Sequence, residues 1–147
     1  MDFIIHLLKS KGFKTIMIMV DRLTKYAMFI QALKECVAKV AARLFMKHVV
    51  KHWGLPWVII SDKDPRFIGV FGLSYSDCLG SSYICRQPYT CKWMAKLINN
   101  LLEIYLQHFI MATQANWAKL LGVAQFSFNP QWNESMSRSP FELAMGC

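Results

Sequence analysis

The order of patterns along the chain predicts an α/β fold, a mixed sheet covered by helices. Two observations carry this. Short apolar or β-branched runs alternate with longer stretches of helical spacing. Hydrophobic residues also make up 54% of 147 residues, enough for one domain with its own core and too many for a disordered tail.

Phe3 to Leu7 is apolar and short, and reads as the end of a first strand. Lys9-Ser-Lys-Gly12 reads as a turn. Thr15 to Val20 is β-branched and Met-rich, a buried strand, and Tyr26 to Ile30 pairs with it as a hairpin. From Val37 to Trp53, apolar residues recur at three and four (Val37, Val40, Ala41, Leu44, Phe45, His48, Val49), which predicts a helix. Gly54-Leu-Pro56 ends it, with Gly54 as C-cap. Trp57 to Ile60 is a four-residue apolar run, predicting a strand buried on both faces. Phe67 to Leu79 is a weaker helix, interrupted by Gly69 and Gly72. Ser82 to Cys85 reads as another strand. Met94 to Met111 and Trp117 to Phe128 read as helices, with Trp117 and Phe126 in the core. Ser139-Pro140-Phe-Glu142 reads as a helix start, Ser139 as N-cap and Pro140 at N1.

The formal net charge of +8 suits a polyanionic partner, because cationic side chains displace counterions condensed on phosphates. No apolar run reaches the roughly 18 residues that span a bilayer, so no membrane partner is expected. Five cysteines without a C-x-x-C pair argue against a disulfide scaffold or a zinc ribbon, and favour a reducing compartment. His48 and His52 stand four apart without a second ligand pair, and are read as surface or interface residues. Lys34, Lys39, Lys47 and Lys51 are read as the solvent face of the first long helix. Asp21 and Asp64 are read as structural turn residues.

Several motifs stand in order along nearly the whole chain: Met1-Asp-Phe-Ile4, Lys9-Ser-Lys-Gly-Phe13, Val20-Asp-Arg-Leu-Thr-Lys-Tyr-Ala27, Gly54-Leu-Pro56, Ser61-Asp-Lys-Asp-Pro-Arg-Phe67, Leu102-Glu-Ile-Tyr-Leu106, Trp117-Ala-Lys-Leu-Leu121 and Ser139-Pro-Phe-Glu-Leu143. Together they resemble the integrase catalytic core of gypsy-type LTR retrotransposons, in a degenerate copy. The resemblance implies a ribonuclease H-like fold for residues 1–147 as a single domain. It further implies a first strand truncated at its amino end, without the zinc-binding or the C-terminal DNA- or chromatin-binding module of a full integrase.

The function implied is DNA integration: Mg²⁺- or Mn²⁺-dependent 3′-end processing and strand transfer, a polynucleotidyl transferase reaction. Such sites need carboxylates, since two hard cations about 4 Å apart activate the attacking oxygen and stabilise the leaving one. The resemblance places Asp2 and Asp62 as the catalytic and metal-binding residues. It places Lys63, Arg66, Lys92 and Lys96 against nucleic-acid phosphates. The expected partners are DNA, as retroelement ends and target, and a second copy in a homodimer. The expected compartment is the nucleus, or the cytoplasm within a polyprotein.

One departure bears on activity. Counting back from Leu102-Glu103 puts Lys96 where the family carries its third carboxylate, a glutamate. An ammonium does not ligate Mg²⁺ and adds charge beside it. Glu103 lies seven residues further on, about 10 Å along a helix at 1.5 Å per residue, and is a poor substitute. Catalysis is therefore expected to be weak or absent. The alternative function is a non-catalytic nucleic-acid-binding or dimerisation remnant of a retroelement polyprotein.

Overall fold

The computed structural model describes residues 1–4, 11–33, 38–61, 82–84 (backbone only), 100, 104, 117–134 and 136–146. Its centre is an antiparallel sheet in the order β1 (Asp2–Ile4), β2 (Phe13–Val20), β3 (Ala27–Leu33). The register sets Asp2 opposite Ile18 on one side of β2, and Ile18 opposite Phe29 on the other. The turn into β2 is made by Lys11 and Gly12, both at positive φ. A parallel pair follows, β4 (Val58–Ile60) with β5 (Ser82–Ile84). Antiparallel and parallel pairing together match the predicted mixed arrangement.

The uninterrupted apolar run of β2 has a direct cause: both of its faces are covered. Successive side chains of a strand point to opposite faces. Met17 and Met19 enter one core with Phe3, Ile30, Ala32 and Ile59; Ile16 and Ile18 enter the other with Ile4, Ala27 and Phe29. The first core is closed by α1 (Ala38–Phe45) through Ala41 and Phe45. That helix continues through a π-helical turn (Met46–Val50) into a last turn, α2 (Lys51–Trp53). The predicted helix to Trp53 and its end at Gly54, φ 76°, are both observed. Lys39, Lys47 and Lys51 lie exposed, as read from the spacing; Lys34 is outside the described residues.

The second core is closed by α3 (Trp117–Phe128). Trp117, Leu121 and Ala124 form its buried stripe, and Phe128 meets Phe29 edge-on at 6.0 Å. Trp117 is fully buried, but Phe126, expected in the core, is 68% exposed. Nine residues at 3.6 per turn put it about 180° around the helix from Trp117. A hydrophobic residue was there, but on the wrong face.

The final helix α4 (Pro140–Met145) begins as its sequence predicts. The Ser139 hydroxyl accepts the Glu142 N–H, and the Glu142 carboxylate accepts the Ser139 N–H, a complete capping box with Pro140 in the first turn. These bonds hold the Glu142 carboxyl below its ordinary pKa.

Two polar side chains of the α3 end bind the outer edge of β3. Asn129, itself buried, accepts the Ala27 N–H at 2.9 Å and donates to the Ala27 carbonyl at 3.0 Å. Gln125, one turn earlier, accepts the Phe29 N–H at 3.0 Å. The strand edge is thus satisfied by side chains rather than by another strand.

The β4 segment corrects one expectation. Trp57 is 87% and Val58 is 47% exposed, while Ile59 is buried. The run is therefore covered on one face and open on the other, because its uncovered side borders a cleft. The segments read as a helix at Phe67–Leu79 and all five cysteines lie outside the described residues, as does most of Met94–Met111.

Candidate active site

Asp2 is placed by β1. Its register opposite Ile18 puts it at the end of the sheet where β2 runs on past β1. The Phe3 N–H donates to Asp2 Oδ1 at 2.8 Å, which orients the carboxylate. The amino nitrogen of Met1 donates to the Ile60 carbonyl at 2.8 Å, across 59 residues of sequence. This contact sets the start of β1 against the carboxyl end of β4. Ser61, the next residue of that end, is fully buried, and Asp62 follows it directly.

Beside Asp2 opens a cleft of about 720 Å³. Its walls come from the end of β2, the helix end at Val49 and Trp53, and Leu55 to Ile60. Tyr26 and Trp53 stack at its rim, with centroids 5.4 Å apart. The sequence reading missed these wall residues. Their signal was Gly54-Leu-Pro56, which turns the chain so that Trp53 and Trp57 flank one opening.

The site residues divide clearly. The structure brings Asp2 to within one hydrogen bond of a residue two positions before Asp62. Asp62 itself, with Lys63, Arg66, Lys92 and Lys96, lies outside the described residues. Among the described residues, no group of three His, Cys, Asp or Glu is gathered for a metal. Asp21 also lines the cleft, but its Oδ2 accepts the Thr24 N–H at 2.8 Å and the Thr24 hydroxyl at 2.7 Å, the turn role expected of it. His48 lies on the π-helical turn; burial, then Lys47 and His52, lower its pKa from the ordinary histidine value.

Comparison with known proteins now bears on this arrangement. No family model matches the chain. The Transposon Tf2-3 polyprotein of Schizosaccharomyces pombe is 28% identical over 97% of this chain. The chain spans 11% of that polyprotein's length. Among solved structures, the HTLV-2 integrase catalytic core domain in complex with magnesium superposes with a TM-score of 0.73 in its trimeric form, covering 96% of this chain and 92% of that one, at 12% identity. Its dimeric form gives 0.70, at 13% identity, over 95% and 91% of the two chains. The catalytic core domain of BIV integrase gives 0.73 over 99% of this chain and 93% of that one, at 14% identity.

The fold is that of an integrase catalytic core. The resemblance to retrotransposon integrase cores read from the motifs is borne out by the polyprotein match and by the shared ribonuclease H-like fold. In an integrase core fold, the contact between the start of β1 and the end of β4 is the place where carboxylates from two separate strands converge. Strand ends of this kind are where α/β sheets generally carry their sites.

Proposed function

We propose that this chain is a retroelement integrase core-like domain that binds DNA and holds a weakened divalent-metal site. The observation that supports the reading best is the Met1–Ile60 contact, which sets Asp2 beside the strand end that leads into Asp62. Carboxylate oxygens are hard donors suited to Mg²⁺ or Mn²⁺, and the Asp2 carboxylate already lines an open cleft. Asp2 and Asp62 are the residues that would hold the ion. When bound, it would supply Lewis acidity for phosphoryl transfer. Asp2 contributes a carboxylate oriented by the Phe3 amide. Lys63, Arg66 and Lys92 serve to position phosphates, without reading sequence.

Lys96 sets the level of activity. It stands where the family carries a glutamate, so 3′-end processing and strand transfer are ancestral reactions that this chain performs poorly. Calorimetric titration with Mg²⁺ and Mn²⁺ tests this on the parent chain, Lys96→Glu and Asp62→Asn. The expected result is weak binding by the parent, at least tenfold tighter binding by Lys96→Glu, and none by Asp62→Asn. Equal affinities in all three would sink the proposal.

A second reading, a nucleic-acid-binding remnant without catalysis, is favoured by the exposed cations Lys39, Arg43, Lys47 and Lys51 along one helix. Salt-dependent DNA binding in EDTA, with no gain in strand transfer from Lys96→Glu, would favour it. DNA as partner, a homodimer and a nuclear location all belong to the proposal. The dimeric and trimeric forms solved for the HTLV-2 core support self-association of this fold.

A further inference from the structure

The cleft beside Asp2 has the shape and chemistry of a missing strand position. The outer clasp on β3 fixes which way the backbone of β2 points. Asn129 bonds both the N–H and the carbonyl of Ala27 from outside the sheet, so Ala27 and its partner Val20 form a pair that is not hydrogen-bonded across β2 and β3. The N–H and carbonyl of Val20 must then point the other way, toward the β1 side. Phe29 and Ile18 repeat the pattern, with the Phe29 N–H directed outward to Gln125. Ile18 has Asp2 of β1 opposite it. Val20, two residues on, has no strand opposite it on that side among the described residues.

The far wall of the cleft shows the same alternation. The Ile60 carbonyl points into the gap, where it accepts from Met1. In a strand, the N–H of the same residue and the carbonyl two residues earlier share that direction. The Ile60 N–H and the Val58 carbonyl therefore face the gap too. Among the described residues, β4 is paired only with β5, on its opposite edge. The gap is thus bounded by two strand edges, one antiparallel and one parallel to any continuation of β1. Its walls between them are apolar: Val20, Met28, Val49, Trp53 and Leu55.

We propose that this groove accepts an extended apolar peptide strand continuous with the amino end of β1, and that seating it fixes Asp2 between β2 and β4. The first residue before Met1 pairs with Val20. The second bonds the Val58 carbonyl and the Ile60 N–H, following the alternation that Asp2 and Met1 already begin. The specificity is that of strand addition: main-chain bonds give affinity, and alternate side chains fill the apolar wall. The exposure of Trp57 and Val58 follows, since their covering strand is the one not yet seated. The inference does not depend on whether the site takes metal.

Backbone amide hydrogen exchange tests it on the full chain carrying a four-residue amino-terminal extension. One extension is Thr-Val-Thr-Val; the control, Gly-Pro-Gly-Pro, has the same length and cannot ladder. The Thr-Val extension is expected to slow exchange at the Val20 and Ile60 amides at least tenfold, and the Gly-Pro extension to leave them at the parent rate. Parent rates in both, or equal slowing by both, would overturn the proposal. Light scattering on the same samples guards the assignment: protection that disappears on dilution with a halving of mass means a second copy fills the groove, which also overturns it. Should the fused chain fail to fold, a free Thr-Val-Thr-Val-Met-Asp-Phe peptide added to the parent must reproduce the protection at Val20 and Ile60; its failure to do so rejects the groove as an acceptor.

Discussion

The two edges of the antiparallel sheet are finished in opposite ways. The outer edge of β3 is sealed by Asn129 and Gln125, side chains brought from about a hundred residues away. On the other side, β2 runs past β1 into an open groove, and there the candidate carboxylate lies. The sealed edge needs only to stay shut, so its polar groups are satisfied internally. The open edge lies against the site, and it keeps backbone groups available for a further chain. A strand edge left bare invites association, so openness at one edge is tolerable only because the other is closed.

The strongest way to break this contrast is to remove the anchor of the sealing helix. Trp117 is fully buried at the start of α3, so Trp117→Ala is expected to destabilise the fold by about 3–5 kcal/mol, the usual range for a core aromatic. Urea denaturation measures it, and a loss under 1 kcal/mol would show that α3 is not held by this core. A sharper cut leaves the helix and removes only the clasp. Asn129→Leu strands the N–H and the carbonyl of Ala27, at a cost of about 1–3 kcal/mol for each group left unsatisfied. Gln125→Leu strands one half-buried N–H and is expected to cost less. If the two variants proved equal, the bidentate bond of Asn129 would not be the main seal.

The smallest effect concerns the helix beside the open groove. The pKa of His48 is lowered on folding, chiefly by burial, so the unfolded chain binds a proton more readily than the folded one. Stability must then rise with pH through the window between the lowered folded value and the ordinary value, and the contribution is lost as pH falls below it. His48→Gln is expected to flatten that slope in a pH series of melting curves. An unchanged slope would place the titration elsewhere.

Much of this was legible in the sequence, for reasons that differ by element. β2 announced itself because a strand covered on both faces needs an unbroken apolar run. The α4 start was readable because a capping box is a local motif, complete within Ser139 to Glu142. The buried stripe of α3 was readable as a period, but the period does not say how wide the stripe is, and so Phe126 was misassigned. Trp57 and Val58 were misread for a related reason: an apolar run does not reveal that its covering strand is absent. The clasp was invisible because nothing local marks an asparagine that will bind a strand 102 residues earlier. For the site, Asp2 was found from its motif, and the approach of β4 confirms only its neighbourhood; the remaining ligand and lysine positions fall outside the described residues.

The distance between Ala27 and Asn129 has a consequence in time as well as in space. A ribosome adds on the order of 5–20 residues per second. With 102 residues separating the strand from its clasp, β3 therefore emerges with its outer edge uncovered for roughly 5–20 s before Asn129 exists. Throughout that interval the nascent chain carries a paired hairpin whose free side can capture any other extended segment. Translation speed and chaperone access over this stretch, rather than the stability of the finished sheet, then govern how much of the chain reaches its folded form.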